Sequence, residues 1–304
     1  MADRLRVKFW GVRGSYPVPG PRTVRYGGNT TCVEIRAGGH LVIIDAGTGI
    51  IDLGQELLRQ YQATCEPIVA TIFFTHTHHD HTQGFPFFGP AYLGSSTLYM
   101  FGPKLFREDL SEALSRAMLP PSFPVELEEL NSLRITRNIE ETEAVVLRPG
   151  VPEPVVRNVY RQNQDVTPDQ VEIRLYKGYA HPKLGILIYK VSWQDHSVVF
   201  ASDTEGYTGD DARLIDFARG ADSLILDAQY TEEEYTSGLL PKQGYGHSTP
   251  QMAARVARAA GVKQLILFHH DPQHDDEQIA AMEREAPRIF PNTIAAYEGL
   301  ELVI

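Results

Sequence analysis

Four histidines and an aspartate follow directly on an apolar segment, and this arrangement constrains the fold more than any other feature of the sequence. The segment Ile68–Thr75 is rich in apolar and β-branched residues, which predicts a buried strand, and His76-Thr77-His78-His79-Asp80-His81 comes immediately after it. Imidazole and carboxylate groups need partners once they leave water, and a divalent metal supplies them. Nitrogen and oxygen ligands without thiolate favour zinc first, with manganese or iron as alternatives. The other interpretation is a polar loop that happens to be rich in histidine; the preceding strand favours the metal site.

The composition is that of an ordinary globular protein. The chain has 304 residues, of which 42% are hydrophobic and 22% charged, so it can bury a sizeable core. Its two cysteines, Cys32 and Cys65, suggest free thiols in a reducing compartment. No apolar run approaches the length needed to cross a bilayer, and the first residues lack the apolar region of a signal peptide. We therefore expect a cytoplasmic protein with no membrane partner.

The charge balance bears on the partners. With 28 basic and 39 acidic residues the net charge is −11. Binding to many backbone phosphates needs clustered Lys and Arg, so we expect no large nucleic acid as a partner. A small anionic substrate held by metals stays compatible with this charge, because bound cations dominate the local field. Pairing into a homodimer stays open, since no heptad or obvious apolar stripe indicates it.

Strand and helix patterns follow one another without a clear linker or internal repeat, which predicts a single domain over residues 1–304. Strand-rich halves with helices between them predict an α/β fold of two packed sheets flanked by helices. From Ile139 to Gln170 the periodicity weakens and prolines accumulate, which predicts an irregular insertion. That insertion is a mobile surface loop, a lid or a subunit contact, and the sequence does not distinguish these.

The HxHxDH pattern formed by His76, His78, Asp80 and His81 resembles that of the metallo-β-lactamase superfamily of metallohydrolases. The resemblance implies an αββα sandwich of two mixed sheets flanked by helices, with two divalent metal ions held by loops at one edge between the sheets. It also implies ligand roles, one position at a time. His76, His78 and His181 would bind the first metal, Asp80, His81 and His269 would bind the second, and Asp203 would bridge them. The positions of Asp203 and His269, each just after a predicted strand, agree with these roles.

His247 stands just before a predicted helix, in which Thr249 is the N-cap and Pro250 lies in the first turn. Capping does not require a histidine, so we interpret His247 as a site residue. Its placement resembles that of the histidine in the ribonuclease Z and phosphodiesterase branch, which assists at the scissile phosphate. We expect His247, helped by Glu205, to protonate or hydrogen-bond the leaving oxygen, while Asp80 orients the attacking hydroxide or accepts its proton.

Two loops near the amino terminus resemble the opening of phosphodiesterase-like members. Their Arg13, Ser15, Asn29 and Thr30 could present donors to a phosphate oxygen. The alternative is a glycine-rich turn packed under the site. Phe85, Phe87 and Phe88 similarly could stack on a base or belong to the core.

The function predicted from these features is that of a metal-dependent hydrolase. We expect a phosphodiesterase that acts on a small phosphodiester, such as a cyclic nucleotide or cyclic sugar phosphate, through a hydroxide that bridges the metals. One alternative is a hydrolase of lactones, thioesters or other carboxyl esters. A less favoured one is a non-catalytic metal-binding module.

Overall fold

Two mixed β-sheets pack face to face, and helices cover the outer surface of each sheet. The computed structural model describes residues 4–104, 109–161, 166–179, 185–206 and 210–304. The predicted αββα sandwich is confirmed. The strands are β1 (Arg6–Gly11), β2 (Cys32–Ala37), β3 (His40–Ile44), β4 (Val69–Phe73), β5 (Thr97–Pro103), β6 (Leu133–Ile139), β7 (Glu143–Arg148), β8 (Val151–Asn158), β9 (Val171–Gly178), β10 (Ile186–Trp193), β11 (His196–Ala201), β12 (Ser223–Asp227), β13 (Gln264–Phe268), β14 (Thr293–Ala295) and β15 (Glu301–Val303). The α-helices are α1 (Gly49–Thr64), α2 (His79–Thr82), α3 (Leu110–Arg116), α4 (Ala212–Ala218), α5 (Glu232–Tyr235), α6 (Pro250–Ala260) and α7 (Asp276–Glu285).

The first sheet has seven strands in the order β15-β1-β2-β3-β4-β5-β6. Its β15, β1, β2 and β3 pair antiparallel, whereas β3, β4, β5 and β6 pair parallel. The tight turn between β2 and β3 uses Gly38 and Gly39, whose φ angles of +54° and +79° are accessible to glycine at little cost. Helices α1 and α3 pack on the outer face of this sheet.

The second sheet has eight strands in the order β14-β13-β12-β11-β10-β9-β7-β8. Its strands from β11 to β14 pair parallel, and the remainder pair antiparallel. Because side chains alternate along a strand, Leu224 and Leu226 of β12 pack against the helix layer formed by α4, α6 and α7, while Ile225 enters the core between the sheets. Among the described residues no helix combines the length and apolarity that crossing a bilayer requires.

The segment 139–170 differs from the irregular insertion that its sequence predicts. Within its described part, β7 and β8 form an antiparallel hairpin, and β7 also pairs with β9. Two of the four prolines that indicated irregular structure, Pro152 and Pro154, lie in β8, the outermost strand of its sheet. An edge strand tolerates proline because its outward N–H groups need no partner strand. The prediction of irregular structure is therefore wrong for these residues.

Several strands of the two sheets end at the same edge of the sandwich. The chain leaves β4 toward His76, β11 toward Asp203 and β13 toward His269, and these side chains approach one another there. Rigid strand ends from distant parts of the sequence thus supply one site.

Candidate metal centre

Asp80, His81, Asp203 and His269 form the first group of potential metal ligands. Each offers one nitrogen or oxygen atom, and these atoms all lie within 4.8 Å of one another. Asp80 Oδ2 is 3.2 Å from His269 Nε2 and 3.3 Å from His81 Nε2. Asp203 Oδ2 is 3.3 Å from His269 Nε2 and 3.2 Å from His81 Nε2. All four side chains are buried, so their polar atoms are directed at one another and not at solvent.

His76, His78 and Asp203 form the second group, and their ligand atoms also fit within 4.8 Å. His76 Nε2 lies 3.8 Å from Asp203 Oδ1, so the two carboxylate oxygens of Asp203 face different groups. His76 is buried and His78 is exposed, which places His78 at the solvent side of the centre. His181, the remaining residue expected here, lies outside the described residues.

The donor set of both groups consists of imidazole nitrogens and carboxylate oxygens, which suits a divalent transition metal. Burial alone would lower the pKa of His269, but the carboxylates of Asp203 and Asp80 overcome this and raise it to about 9. For Asp203, burial would raise the pKa, yet His269, His81 and His76 hold it well below its usual value. The carboxylates are therefore held in the ionised form that a metal ligand requires.

Four of the non-glycine residues with positive φ lie in or against this centre. They are Ser15, Asp45, Asp203 and His269, with φ of +61°, +62°, +53° and +62°. Such conformations cost on the order of 1–3 kcal/mol each and persist only where the surrounding structure enforces them. The backbone that presents these side chains is thus held in place by its neighbours.

Asp45 was missed by the sequence reasoning and supports His81 from behind. Its Oδ2 accepts a hydrogen bond from His81 Nδ1 at 2.7 Å, and its two oxygens also accept from the Thr75 hydroxyl and backbone N–H. This carboxylate keeps the proton of His81 on Nδ1 and leaves Nε2 facing the ligand group. Its position directly after β3 is the feature that could have identified it.

Asp227, also missed, lies at the end of β12 and connects three parts of the centre. Its Oδ2 accepts hydrogen bonds from His247 Nδ1 at 2.8 Å and from the Asp203 backbone N–H at 3.1 Å. Its Oδ1 accepts from the Ser248 N–H at 2.9 Å. The His247 ring stacks on that of His269, with centroids 5.1 Å apart and planes inclined by 17°. His247 therefore lies beside the two groups of potential metal ligands.

Glu205 is not placed to assist His247 at a leaving oxygen, which was its expected role. Its carboxylate is buried and accepts hydrogen bonds from the Tyr235 hydroxyl at 2.7 Å, the Gly244 N–H at 2.7 Å and the Gly246 N–H at 2.8 Å. Both oxygens thus bind the loop that precedes His247. The structure assigns Glu205 to positioning that loop.

Arg13 does not present its guanidinium to the centre. It is fully buried and donates to the backbone carbonyl oxygens of Gly27 at 2.8 Å, Asp271 at 3.0 Å and His274 at 2.6 Å. In contrast, the backbone N–H of Ser15 donates to Asp80 Oδ2 at 2.8 Å. The expected phosphate contact is thus corrected for Arg13, while Ser15 does reach the centre, through its main chain.

Asn29 and Thr30 are likewise bound to protein groups. Asn29 donates to the Glu298 carboxylate through its N–H at 2.6 Å and its side-chain amide at 3.3 Å. Thr30 Oγ1 accepts from the Thr48 N–H at 2.9 Å. A Cβ added at Gly14 would overlap the His269 ring. These observations favour the alternative interpretation, a glycine-rich turn packed under the site, over direct contact with substrate.

The aromatic loop after the histidine motif is divided between core and surface. Phe85 and Phe88 are fully buried, whereas Phe87 is 58% exposed. The first two belong to the core beneath α1, which leaves Phe87 as the one of the three that solvent reaches.

The chain is similar to known proteins in both sequence and fold. The family profile described as Beta-lactamase superfamily domain matches residues 40–270. The ribonuclease Z of Metallosphaera sedula is 30% identical over 234 residues, which cover 73% of this chain and 77% of the relative. The ribonuclease Z of Bacillus subtilis (strain 168) is 26% identical over 260 residues, covering 77% and 80%. The crystal structure of the metallo-β-lactamase fold protein YhfI from Bacillus subtilis superimposes with a TM-score of 0.67 at 18% identity, covering 99% of this chain and all of that one (100%).

These relatives overturn one expectation. Both sequence relatives are named as ribonucleases, enzymes that act on RNA, so the expectation that no large nucleic acid is a partner is wrong. The error came from using the net charge of the whole chain. Contacts to a nucleic acid are local, and metal ions can supply positive charge where the backbone is cleaved.

Proposed function

This chain is a member of the metallo-β-lactamase superfamily and of its ribonuclease Z-like branch, and from that membership we propose that it is a metal-dependent phosphodiesterase. The observation that carries the proposal is the position of His247. It is held by Asp227 and stacked on His269, next to two ligand groups that share Asp203. This arrangement combines a cation site with a proton donor, the two elements that cleavage of a phosphodiester needs.

The proposed metal sites follow the two ligand groups. His76 and His78 with Asp203 would hold one cation, and Asp80, His81 and His269 with Asp203 would hold the other. His181 is proposed as a further ligand of the first cation on the family resemblance. Zinc is the first candidate and manganese or iron the alternatives. Two bound cations would lower the pKa of a shared water and neutralise charge on the phosphate oxygens.

Asp80 is proposed to orient the attacking water. Burial would raise its pKa, but His81 and His269 hold it well below the usual value. A carboxylate with a low pKa accepts hydrogen bonds readily but retains a proton poorly, so orientation is the role that suits it. The Ser15 N–H at 2.8 Å from Oδ2 fixes the direction of this carboxylate.

His247 is proposed as the proton donor to the leaving oxygen. Nδ1 is hydrogen-bonded to Asp227, so Nε2 is the nitrogen proposed to transfer the proton. The Asp227 carboxylate holds the ring in one orientation, as an aspartate does for the histidine of a catalytic triad. Glu205 contributes indirectly, through the loop it anchors.

Two substrate classes enter the proposal. Small phosphodiesters, such as a cyclic nucleotide or a cyclic sugar phosphate, could reach the cations from the side of His78, the exposed ligand. RNA is the second class, favoured by the ribonuclease Z relatives. Both are cleaved at the same kind of bond.

The test is a substrate panel with protein stripped of metal and then reloaded with zinc or with manganese. The panel contains 3′,5′- and 2′,3′-cyclic nucleotides, bis(p-nitrophenyl) phosphate, an RNA hairpin with a 3′ extension, and an aryl lactone. We expect turnover of one or more phosphodiesters that depends on the added metal. Hydrolysis of the lactone alone would replace the proposal with a carboxyl-ester hydrolase, and no turnover by metal-loaded protein would favour a non-catalytic metal-binding module.

A further inference from the structure

The loop between α5 and α6 carries an exposed aromatic side chain next to the proposed proton donor. Tyr245 is 52% exposed and precedes His247 by two residues. An aromatic ring is costly to leave in water, and a fixed ring beside a cleavage site offers a flat apolar surface to a substrate. The position of Tyr245 therefore bears on what the substrate carries beyond its phosphate.

The backbone on both sides of Tyr245 is held by one buried carboxylate. Glu205 accepts the Gly244 N–H on Oε1 and the Gly246 N–H on Oε2. The two glycines have φ of +80° and +89°, a conformation that suits residues without Cβ. These two hydrogen bonds hold the main chain on either side of Tyr245, and the Tyr245 ring stays exposed. A ring placed in advance loses little conformational entropy when a ligand stacks on it.

A lysine extends this surface toward His247. Lys242 Nζ lies 5.3 Å from the ring centroid of Tyr245 and 5.3 Å from that of Tyr230. The Tyr230 ring in turn meets the His247 ring edge-on, with centroids 5.7 Å apart. Aromatic and cationic groups thus form a continuous series from the proposed proton donor to the exposed ring.

We propose that Tyr245 and Lys242 form a subsite for a nucleobase on an ester arm of the substrate. The base stacks on the Tyr245 ring, and the Lys242 ammonium supports that stack as a cation beside the aromatic faces. The inference rests on the proposed phosphodiesterase function and narrows its substrates to nucleotides and RNA over cyclic phosphates of plain sugars. Stacking has little sequence preference, so several bases would be accepted.

The first experiment compares two substrates that differ only in the base. They are adenosine 3′,5′-cyclic phosphate and the 3,5-cyclic phosphate of methyl riboside, each assayed with zinc-loaded protein. We expect the wild type to favour the nucleotide in kcat/KM, and Tyr245→Ala to reduce that ratio about tenfold. Tyr245→Phe keeps the ring and should keep the ratio. Tyr160→Ala removes an 82% exposed tyrosine elsewhere on the surface and serves as the matched control.

The second experiment measures binding and needs no turnover. Calorimetry compares adenosine 5′-monophosphate with ribose 5-phosphate, and we expect the nucleotide to bind about tenfold more tightly, with this difference lost in Tyr245→Ala. Lys242→Ala should reduce the difference less, and Lys242→Arg should restore it.

The outcomes separate the two proposals. The nucleobase subsite would be overturned if the wild type had equal kcat/KM for the two cyclic phosphates. It would also be overturned if Tyr245→Ala kept the same ratio of the two kcat/KM values as the wild type. The proposed phosphodiesterase activity would stand in both cases. If neither cyclic phosphate is hydrolysed but the nucleotide still binds more tightly through Tyr245, the subsite stands and the proposed reaction on small diesters fails. Equal binding of nucleotide and sugar phosphate without turnover would reject both.

Discussion

His247 Nδ1 lies 2.8 Å from Oδ2 of Asp227, and that same oxygen accepts the backbone N–H of Asp203 at 3.1 Å. One buried carboxylate thus links the proposed proton donor to the residue shared by both ligand groups. A carboxylate in this position sets the tautomer and orientation of the imidazole. Asp227 therefore connects the proposed proton donor to the proposed metal ligands through hydrogen bonds.

Replacing Asp227 with asparagine should lower kcat strongly. The amide of Asp227→Asn does not stabilise an imidazolium, and it can hold His247 in the wrong tautomer, so we expect a loss of about 10²- to 10⁴-fold in kcat. Steady-state kinetics on the best substrate of the panel measures this. Asp222→Asn is the control, because Asp222 caps the other end of the same strand through the Ser197 N–H and Lys263. An unchanged kcat in Asp227→Asn would reject the coupling.

Alanine at Asp203 and alanine at His247 should separate metal binding from proton transfer. Asp203→Ala removes the carboxylate common to both groups, so both bound metal and turnover should be lost. His247→Ala should retain metal and lose about 10²- to 10⁴-fold in kcat. Elemental analysis of dialysed protein with parallel kinetics gives the comparison. The opposite pattern of metal retention would show that the roles are wrongly assigned.

Replacing Glu205 with glutamine should loosen the loop before His247. One end of the glutamine side chain cannot accept a hydrogen bond, so a backbone N–H of Gly244 or Gly246 loses its acceptor. We expect a loss of about 1–3 kcal/mol in the free energy of unfolding, with faster hydrogen exchange confined to that loop. Urea unfolding and exchange mass spectrometry measure these effects. Glu56→Gln, at an exposed pair with Arg59, should change stability by no more than about 0.5 kcal/mol; equal effects of the two substitutions would contradict the anchoring role.

Adding a methyl group at Gly14 should disturb the metal centre. The new Cβ would overlap the His269 ring and the Gln229 side chain. The Gly14 N–H donates to the His270 carbonyl at 3.0 Å, and this hydrogen bond opposes a shift of the main chain. We expect Gly14→Ala to bind metal at least about tenfold more weakly, the size of effect typical of a displaced supporting group. Metal titration with a competing chelator measures this. Gly20→Ala is the control, because Gly20 lies in the same amino-terminal segment and a Cβ there meets nothing within 4 Å. Normal metal binding by both variants would refute the packing argument.

Helices with clear end signals could be predicted from the sequence to the residue. α6 begins at Pro250 after the N-cap Thr249, whose side chain accepts from the Met252 N–H, and it ends before Gly261 in the left-handed conformation. The hairpin of β7 and β8 could not be predicted in the same way. β8 tolerates its prolines because it is the edge strand of its sheet. That edge position depends on how the whole sheet is assembled and cannot be read from the local sequence.

The candidate site was predictable where the chemistry is concentrated and not where it is dispersed. The segment from His76 to His81 carries several potential ligands together, so the sequence alone indicates a metal site there. His269 likewise follows an apolar strand. Asp45 and Asp227 also end strands, but a single aspartate there is equally typical of a turn. Arg13 shows the reverse difficulty. A guanidinium in a glycine-rich loop can serve a phosphate or backbone carbonyls, and only the folded chain shows that it binds the carbonyls of Gly27, Asp271 and His274.

The single carboxylate of Asp203 belongs to both groups of potential metal ligands. The Asp203 backbone has a φ of +53° and is held by the hydrogen bond from its N–H to the Asp227 carboxylate. The Asp203 carboxylate cannot turn toward one group without leaving the other. With a cation in each group, as proposed, filling of the two positions would be a linked equilibrium, in which the occupant of one alters the affinity of the other by the same factor in both directions. If two different ions were loaded in turn, the order in which they bind would depend on the Asp203 side chain.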